Sequence, residues 1–188
     1  MGRRLRLEVP GGFFHVGTRG VNRETVFHEP RDRRWFLQLL LRATRRFDWL
    51  CLDYCLMGNH YHLLLKTPEP TLARGMQDLN GEYARYVNDQ YLRDGHLFAR
   101  RYWSELIETD AHLLETCRYV VLNPVRAELC SVPEDWLWSG FAATAGIRRP
   151  HACLALAQKL ELFGRSRAVA EKRYRSFVND GLARQPSV

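Results

Sequence analysis

Residues 50–66 hold two short apolar runs, LCLDYCL and HYHLLLK, separated only by Met57-Gly58-Asn59, and this pair lies between two long stretches of helical periodicity. Few folds accept that order. A three-residue link joins neighbouring strands as a hairpin, and each flanking stretch has to bury one apolar stripe against the resulting sheet. Upstream, Glu29 to Phe47 carries Trp35, Phe36, Leu39, Leu40, Ala43 and Phe47 at helical spacing, with Pro30 suited to a first turn. Downstream, Thr67-Pro68-Glu69-Pro70 stops the second strand. Thr71 is placed to cap a helix running to about Leu92, with Leu72, Met76, Leu79, Tyr83 and Val87 on its buried face.

Outside this centre, Gly12 to Thr18 reads as a first strand ended by Arg19-Gly20, and Arg101 to Glu108 as a fourth. Asp110 is placed to cap a third helix from Ala111 to about Leu122. The order β-α-β-β-α-β, then a helix, predicts an α+β fold of the ferredoxin-like, split β-α-β kind. Its four-stranded antiparallel sheet has two helices on one face and leaves the other open for the third helix and for function. Composition shifts after Gly146. Residues 1–145 are expected to form the main domain and 146–188 a C-terminal helical tail, with helices near 154–162 and 166–180.

Apolar residues make up 46% of the 188-residue chain and aromatics 12%, enough for a packed core. No apolar run approaches the roughly 20 residues that span a bilayer, and none of signal-peptide length follows the basic start MGRRLRLEVPGG. A cytoplasmic protein with no membrane partner is expected. The five cysteines include no Cys-x-x-Cys pair, which argues against a disulfide framework or a thiolate zinc site. Cys51 and Cys55 read as small buried strand residues. Lys and Arg total 28 against 21 acids, for a net charge of +7, and most of the basic residues are arginine. Arginine forks match phosphate geometry, so a polyanion is the natural partner.

Three groups of residues carry chemistry. On a strand, residues two apart share a face with Cα atoms roughly 6–7 Å apart, so His60 and His62 can converge on one metal ion while Tyr61 points the other way. A structural role for a lone His-x-His remains open at this level. Tyr119 and Asn123 are four apart and would share a face of one continuous helix. A phenol is a weak nucleophile near neutrality unless metal or cationic groups assist it. Equally, Tyr119 could be half-buried core, and Asn123-Pro124 could be the N-cap and first residue of a new helix. Basic residues interleaved with aromatics supply the third group: Arg85 among Tyr83 and Tyr86, and Arg100 and Arg101 before Tyr102 and Trp103, joined by Arg19, Asn22 and Arg23 in the loop after the first strand.

The blocks FHVGTRGVNR, MGNHYHLLLKTPEP, LNGEYARYVN, GHLFARRYWS and RYVVLNPVRAEL, in that order over residues 13–145, resemble the REP-associated tyrosine transposases, HUH single-strand nucleases with one catalytic tyrosine. The tail segment LFGRSRAVAEKRYRSFV is similar to tails in that group. The resemblance implies the same ferredoxin-like fold. It implies metal binding by His60 and His62, with Asn123 where related enzymes use a polar third ligand, often Gln, and Tyr119 as nucleophile. It implies Mg²⁺ or Mn²⁺ as cofactor, single-stranded or hairpin DNA as partner, and a monomer or homodimer. The expected activity is DNA cleavage and rejoining through a 5′-phosphotyrosine. Gly58 departs from the family's usual proline, and Tyr61 from its usual aliphatic residue. Two other functions fit the same residues: a non-catalytic single-strand-binding module, and a metal-dependent hydrolase using water.

Overall fold

The computed structural model describes residues 8–183. Strand β1 (Gly12–Arg19) is followed by helix α1 (Pro30–Phe47), strands β2 (Leu50–Leu56) and β3 (His60–Thr67), helix α2 (Leu72–Tyr91), strand β4 (Trp103–Ile107) and helix α3 (Asp110–Arg126). The strands lie in the order β2-β3-β1-β4, every neighbouring pair antiparallel. This is the α+β, split β-α-β sheet that the element order predicts.

Strand alternation divides the two faces. Phe14 and Val16 of β1 and Tyr61, Leu63 and Leu65 of β3 join Phe36 and Leu40 of α1 and Met76, Leu79 and Tyr83 of α2 in the main core. Tyr61 packs against Phe36 with ring centres 4.6 Å apart, and its hydroxyl donates to Asn80 of α2. Asp32 ties the two helices together. Its buried carboxylate accepts from the Glu29 backbone N–H at 2.8 Å and from the hydroxyls of Tyr86 and Tyr91 at 2.9 and 2.8 Å. Charge-assisted bonds of this kind are the stronger ones.

Several local expectations are corrected. Thr71 does not cap α2 with its side chain; its hydroxyl accepts from the Trp49 indole N–H at 2.9 Å. Thr109, not Asp110, caps α3, accepting from the His112 N–H at 3.1 Å. Strand β4 starts two residues later than the expected Arg101. Most consequentially, α3 does not stop at Leu122 but runs through Pro124 to Arg126. Proline brings no N–H for the Val120 carbonyl. The Asn123 side-chain amide compensates, donating to the Tyr119 carbonyl at 2.8 Å and reaching the Val120 carbonyl at 3.4 Å. Asn123 is therefore not an N-cap, and the helix stays continuous past Tyr119.

The open face is partly covered by α3, which packs Leu113 and Cys117 onto Leu52, Leu64 and Ile107. Beyond it come short helices α4 (Phe141–Thr144) and α5 (Leu156–Glu161) and the longer α6 (Arg167–Ala183). Val121 and Leu122 of α3 share a second core with Phe141, Leu160, Tyr174 and Val178. A buried ion pair, Lys159 of α5 with Asp53 of β2, fastens this layer to the sheet, and the same ammonium lies 3.2 Å from the Tyr174 hydroxyl. Among the described residues no helix is long and apolar enough to cross a membrane.

Candidate active site on the open face

Pairing register assembles the site. Cys55 of β2 faces His62 of β3, His62 faces Gly17 of β1, and Gly17 faces Trp103 of β4. Two pairs along, on the same face, Arg19 faces His60. His15, two residues before Gly17, is on the same face. His60, His62, His15 and Trp103 thus converge on the surface opposite Tyr61, as the period of two requires.

The histidine pair is pre-set as neutral donors of lone pairs. Its ring centres are 5.1 Å apart. His60 Nδ1 lies 2.7 Å from Asn59 Oδ1. An amide oxygen only accepts, so Nδ1 carries the proton and Nε2 is left with its lone pair. His62 Nδ1 lies 3.1 Å from His15 Nε2. With the proton on His62 Nδ1, its Nε2 is likewise a ligand, the arrangement in which a second residue fixes a metal-binding tautomer. Burial, then the charge of Arg19, holds His60 down to about 4. Burial and its neighbours His15, His60 and Arg19 hold His62 down to about 3. His15 is lowered to about 4 by burial and then by His112. All three are uncharged at neutral pH, as ligation demands.

Helix α3 brings Tyr119 over this cluster. Its ring centre is 5.6 Å from that of His62 and 5.5 Å from that of His15, and the side chain is 41% exposed. The Arg126 guanidinium stacks over the same ring at 4.9 Å. Asn123, one turn on, has its amide nitrogen turned back onto its own helix. Among the described residues no group of three or more His, Cys, Asp or Glu is arranged to hold a metal ion. The bond to Asn59 defines Nε2 as the free nitrogen of His60, and Nε2 of His62 is free when His15 accepts its Nδ1–H.

The basic residues divide. Arg19 is exposed at the end of β1 beside His60, and Asn22 and Arg23 are exposed in the turn that follows, both with positive φ. Arg100 and Arg101 are exposed just before β4, edging a groove that Gln77, Asn80 and Phe98 also line. Arg85 is exposed on α2, on the helix-covered side, and is not brought to the histidines. Sequence reasoning missed His15 and Arg126; it singled out Trp103 with Arg100 and Arg101 as an aromatic beside arginines but did not place it beside the histidines. The signal for His15 was register: only the pairing of β1 with β3 shows that it lies beside the His-x-His.

The family model described as "Transposase IS200 like" matches residues 11–123, a span that includes His15, His60, His62 and Tyr119. The chain belongs to this transposase family. It is also 30% identical over 135 residues to a Haemophilus influenzae protein named for the REP-associated tyrosine transposases, covering 62% of this chain and 77% of that one. The resemblance seen in the ordered blocks is thereby borne out. Among solved structures, a REP-associated tyrosine transposase bound to a REP hairpin superposes with a TM-score of 0.68 at 15% identity, over 78% of this chain and 86% of that one. At that identity the likeness speaks for the fold.

The His15 contact makes a prediction. His15→Phe keeps a ring against Trp103 but removes the nitrogen that meets His62. If His60 and His62 hold Mn²⁺, as the family resemblance implies, the expected result is a loss of Mn²⁺ affinity of about ten-fold or more, the usual effect of removing such a partner, with the thermal midpoint nearly unchanged. Electron paramagnetic resonance of free Mn²⁺ reads it directly. Wild-type affinity in this variant would reduce His15 to packing.

Proposed function

We propose that this transposase is a metal-dependent single-strand DNA endonuclease and strand transferase acting through Tyr119 on hairpin-forming repeat DNA. The observation that carries the reading is the exposed Tyr119 ring standing 5.6 Å from His62 on the open face of the sheet. The hairpin in the solved relative supports the substrate class.

His60 and His62 fit a divalent ion through their Nε2 atoms, and two imidazoles favour Mn²⁺ over Mg²⁺, which prefers oxygen. Asn123 is the candidate third ligand through its amide oxygen. When bound, the ion would draw charge from the scissile phosphate. The rest is supplied by the chain. The Tyr119 oxygen forms a bond to phosphorus as the bond to the 3′ oxygen breaks. The phenolic proton is balanced by the proton that the departing 3′ hydroxyl gains. No water or nucleotide triphosphate is consumed, and the phosphotyrosine ester keeps the bond energy for rejoining. Arg126, stacked on the Tyr119 ring, and Arg19, beside His60, put positive charge where the phosphate has to sit.

The deciding experiment incubates the full chain with a labelled library of hairpins bearing randomised single-stranded flanks. An adduct that survives denaturant, forms with Mn²⁺ and disappears in chelator is expected. Cleavage without an adduct would replace Tyr119 with water as nucleophile. Retention of the hairpins without cleavage would leave a binding module.

A further inference from the structure

The cleavage chemistry leaves one aromatic surface of the open face unused. Trp103 begins β4, is 42% exposed, and closes the cross-strand row that contains His62. Gly17 lies between the two. A Cβ there would come within 2.6 Å of the indole, so the missing side chain lets Trp103 lean across β1 toward β3. Its ring centre stands 4.6 Å from His15 and 5.9 Å from His62, steeply inclined to both. The indole is thus seated on one side against the histidines and open to solvent on the other. A large exposed aromatic on an edge strand is a liability unless something covers it. Its surroundings indicate what does: exposed Arg19 lies on the neighbouring strand two residues past Gly17, on the same face and beside His60, and exposed Tyr119 stands across the histidines from it. Arginines beside an exposed aromatic are how proteins hold unpaired nucleotides, with phosphates on the charges and a base on the ring.

We propose that the exposed surface of the Trp103 indole is a stacking platform for an unpaired nucleobase adjoining the phosphate at His60, His62 and Tyr119. The platform rests on the nuclease reading above and adds the base that the site grips. Stacking needs only a π-face, so the platform tolerates any base while fixing the strand's position relative to Tyr119.

The test is binding in chelator, where no cleavage occurs, with two probes: an oligothymidylate and an all-abasic strand of the same length. The abasic strand keeps every phosphate and offers nothing to stack. Wild type should prefer the oligothymidylate by about ten-fold or more, in line with alanine substitutions at stacking aromatics. Trp103→Ala should lose most of that preference while binding the abasic strand as wild type does, and Trp103→Phe should keep most of it. Quenching of tryptophan fluorescence by the oligothymidylate should shrink in Trp103→Phe. Equal losses on both probes, or an unchanged preference in Trp103→Ala, would overturn the platform. Equal wild-type binding of both probes would overturn it and leave the nuclease reading standing. Binding of neither would overturn the platform and leave the nuclease reading to the hairpin adduct assay. A preference that depends on Trp103 in a protein that forms no adduct would keep the platform and discard the nuclease.

Discussion

Tyr119→Phe is expected to reduce strand cleavage and covalent adduct by roughly a million-fold, to below detection, as removal of a nucleophile does elsewhere, while hairpin binding and the thermal midpoint stay close to wild type. The change removes one oxygen. What remains is the ring, and the ring makes the contacts: His15 and His62 against its face or edge, and the Arg126 guanidinium above it. At 41% exposure the lost hydroxyl leaves no costly buried partner behind. The rest of the chain has no substitute to offer. Of its eight tyrosines, Tyr54, Tyr61, Tyr83, Tyr102 and Tyr174 are buried, and Tyr86 and Tyr91 donate to Asp32 at the helix-covered face. An adduct persisting in Tyr119→Phe, located by peptide mapping of the DNA-linked fragment, would refute the assignment. So would a loss of cleavage matched by an equal loss of binding, because the hydroxyl would then be a DNA contact.

How much of this was legible in the sequence depends on whether the signal is local. The β2-β3 hairpin and the shared face of His60 and His62 follow from a period of two and a short turn, and both are found. The stripes on α1 and α2 follow from a period of 3.6. Arg85 illustrates the limit of composition: an arginine among aromatics looks like a nucleic-acid contact, yet its helix lies on the far side of the sheet. Pro124 illustrates a different limit. It reads as a helix boundary, and the compensating bond from the Asn123 amide is a side-chain choice that no propensity encodes. His15 and Gly17 depend on strand register, which alternation alone does not specify between β1 and β3. The Lys159–Asp53 pair joins residues 106 apart, one on a strand and one on a short helix, and neither carries a local mark of burial.

That pair underlies the largest expected effect on stability. Both side chains are fully buried, and the Asp53 carboxylate also accepts from the Tyr54 N–H at 3.0 Å. Lys159→Ala should cost about 3–5 kcal/mol in equilibrium urea unfolding, the range found when one partner of a buried pair is removed. Most of that cost is the stranded carboxylate. Burial already pushes the Asp53 carboxyl upward, and the Lys159 charge is the chief influence pulling it back. Without the ammonium the folded carboxyl rises further. In the unfolded chain it still ionises near about 4. Above that pH, folding the variant has to bury a bare charge or take up a proton, so stability contributed by protonated Asp53 is lost as pH rises toward the raised folded value. The deficit relative to wild type should therefore shrink as pH falls toward 4. A double change, Asp53→Asn with Lys159→Met, removes the charge and refills the volume, and should recover most of the loss. The effect reaches the site because α3 lies between the sheet and α6: Arg118 of α3 donates to the Phe177 carbonyl at 3.3 Å, and Val121 and Leu122 share the core held by Tyr174. Loosening that layer frees the outer side of the helix that carries Tyr119, so adduct yield in Lys159→Ala should fall well below the wild-type unfolding midpoint and return with the double change. A Lys159→Ala deficit under about 1 kcal/mol that is flat with pH would mean that water reaches Asp53 and that the pair is not what fastens the layer.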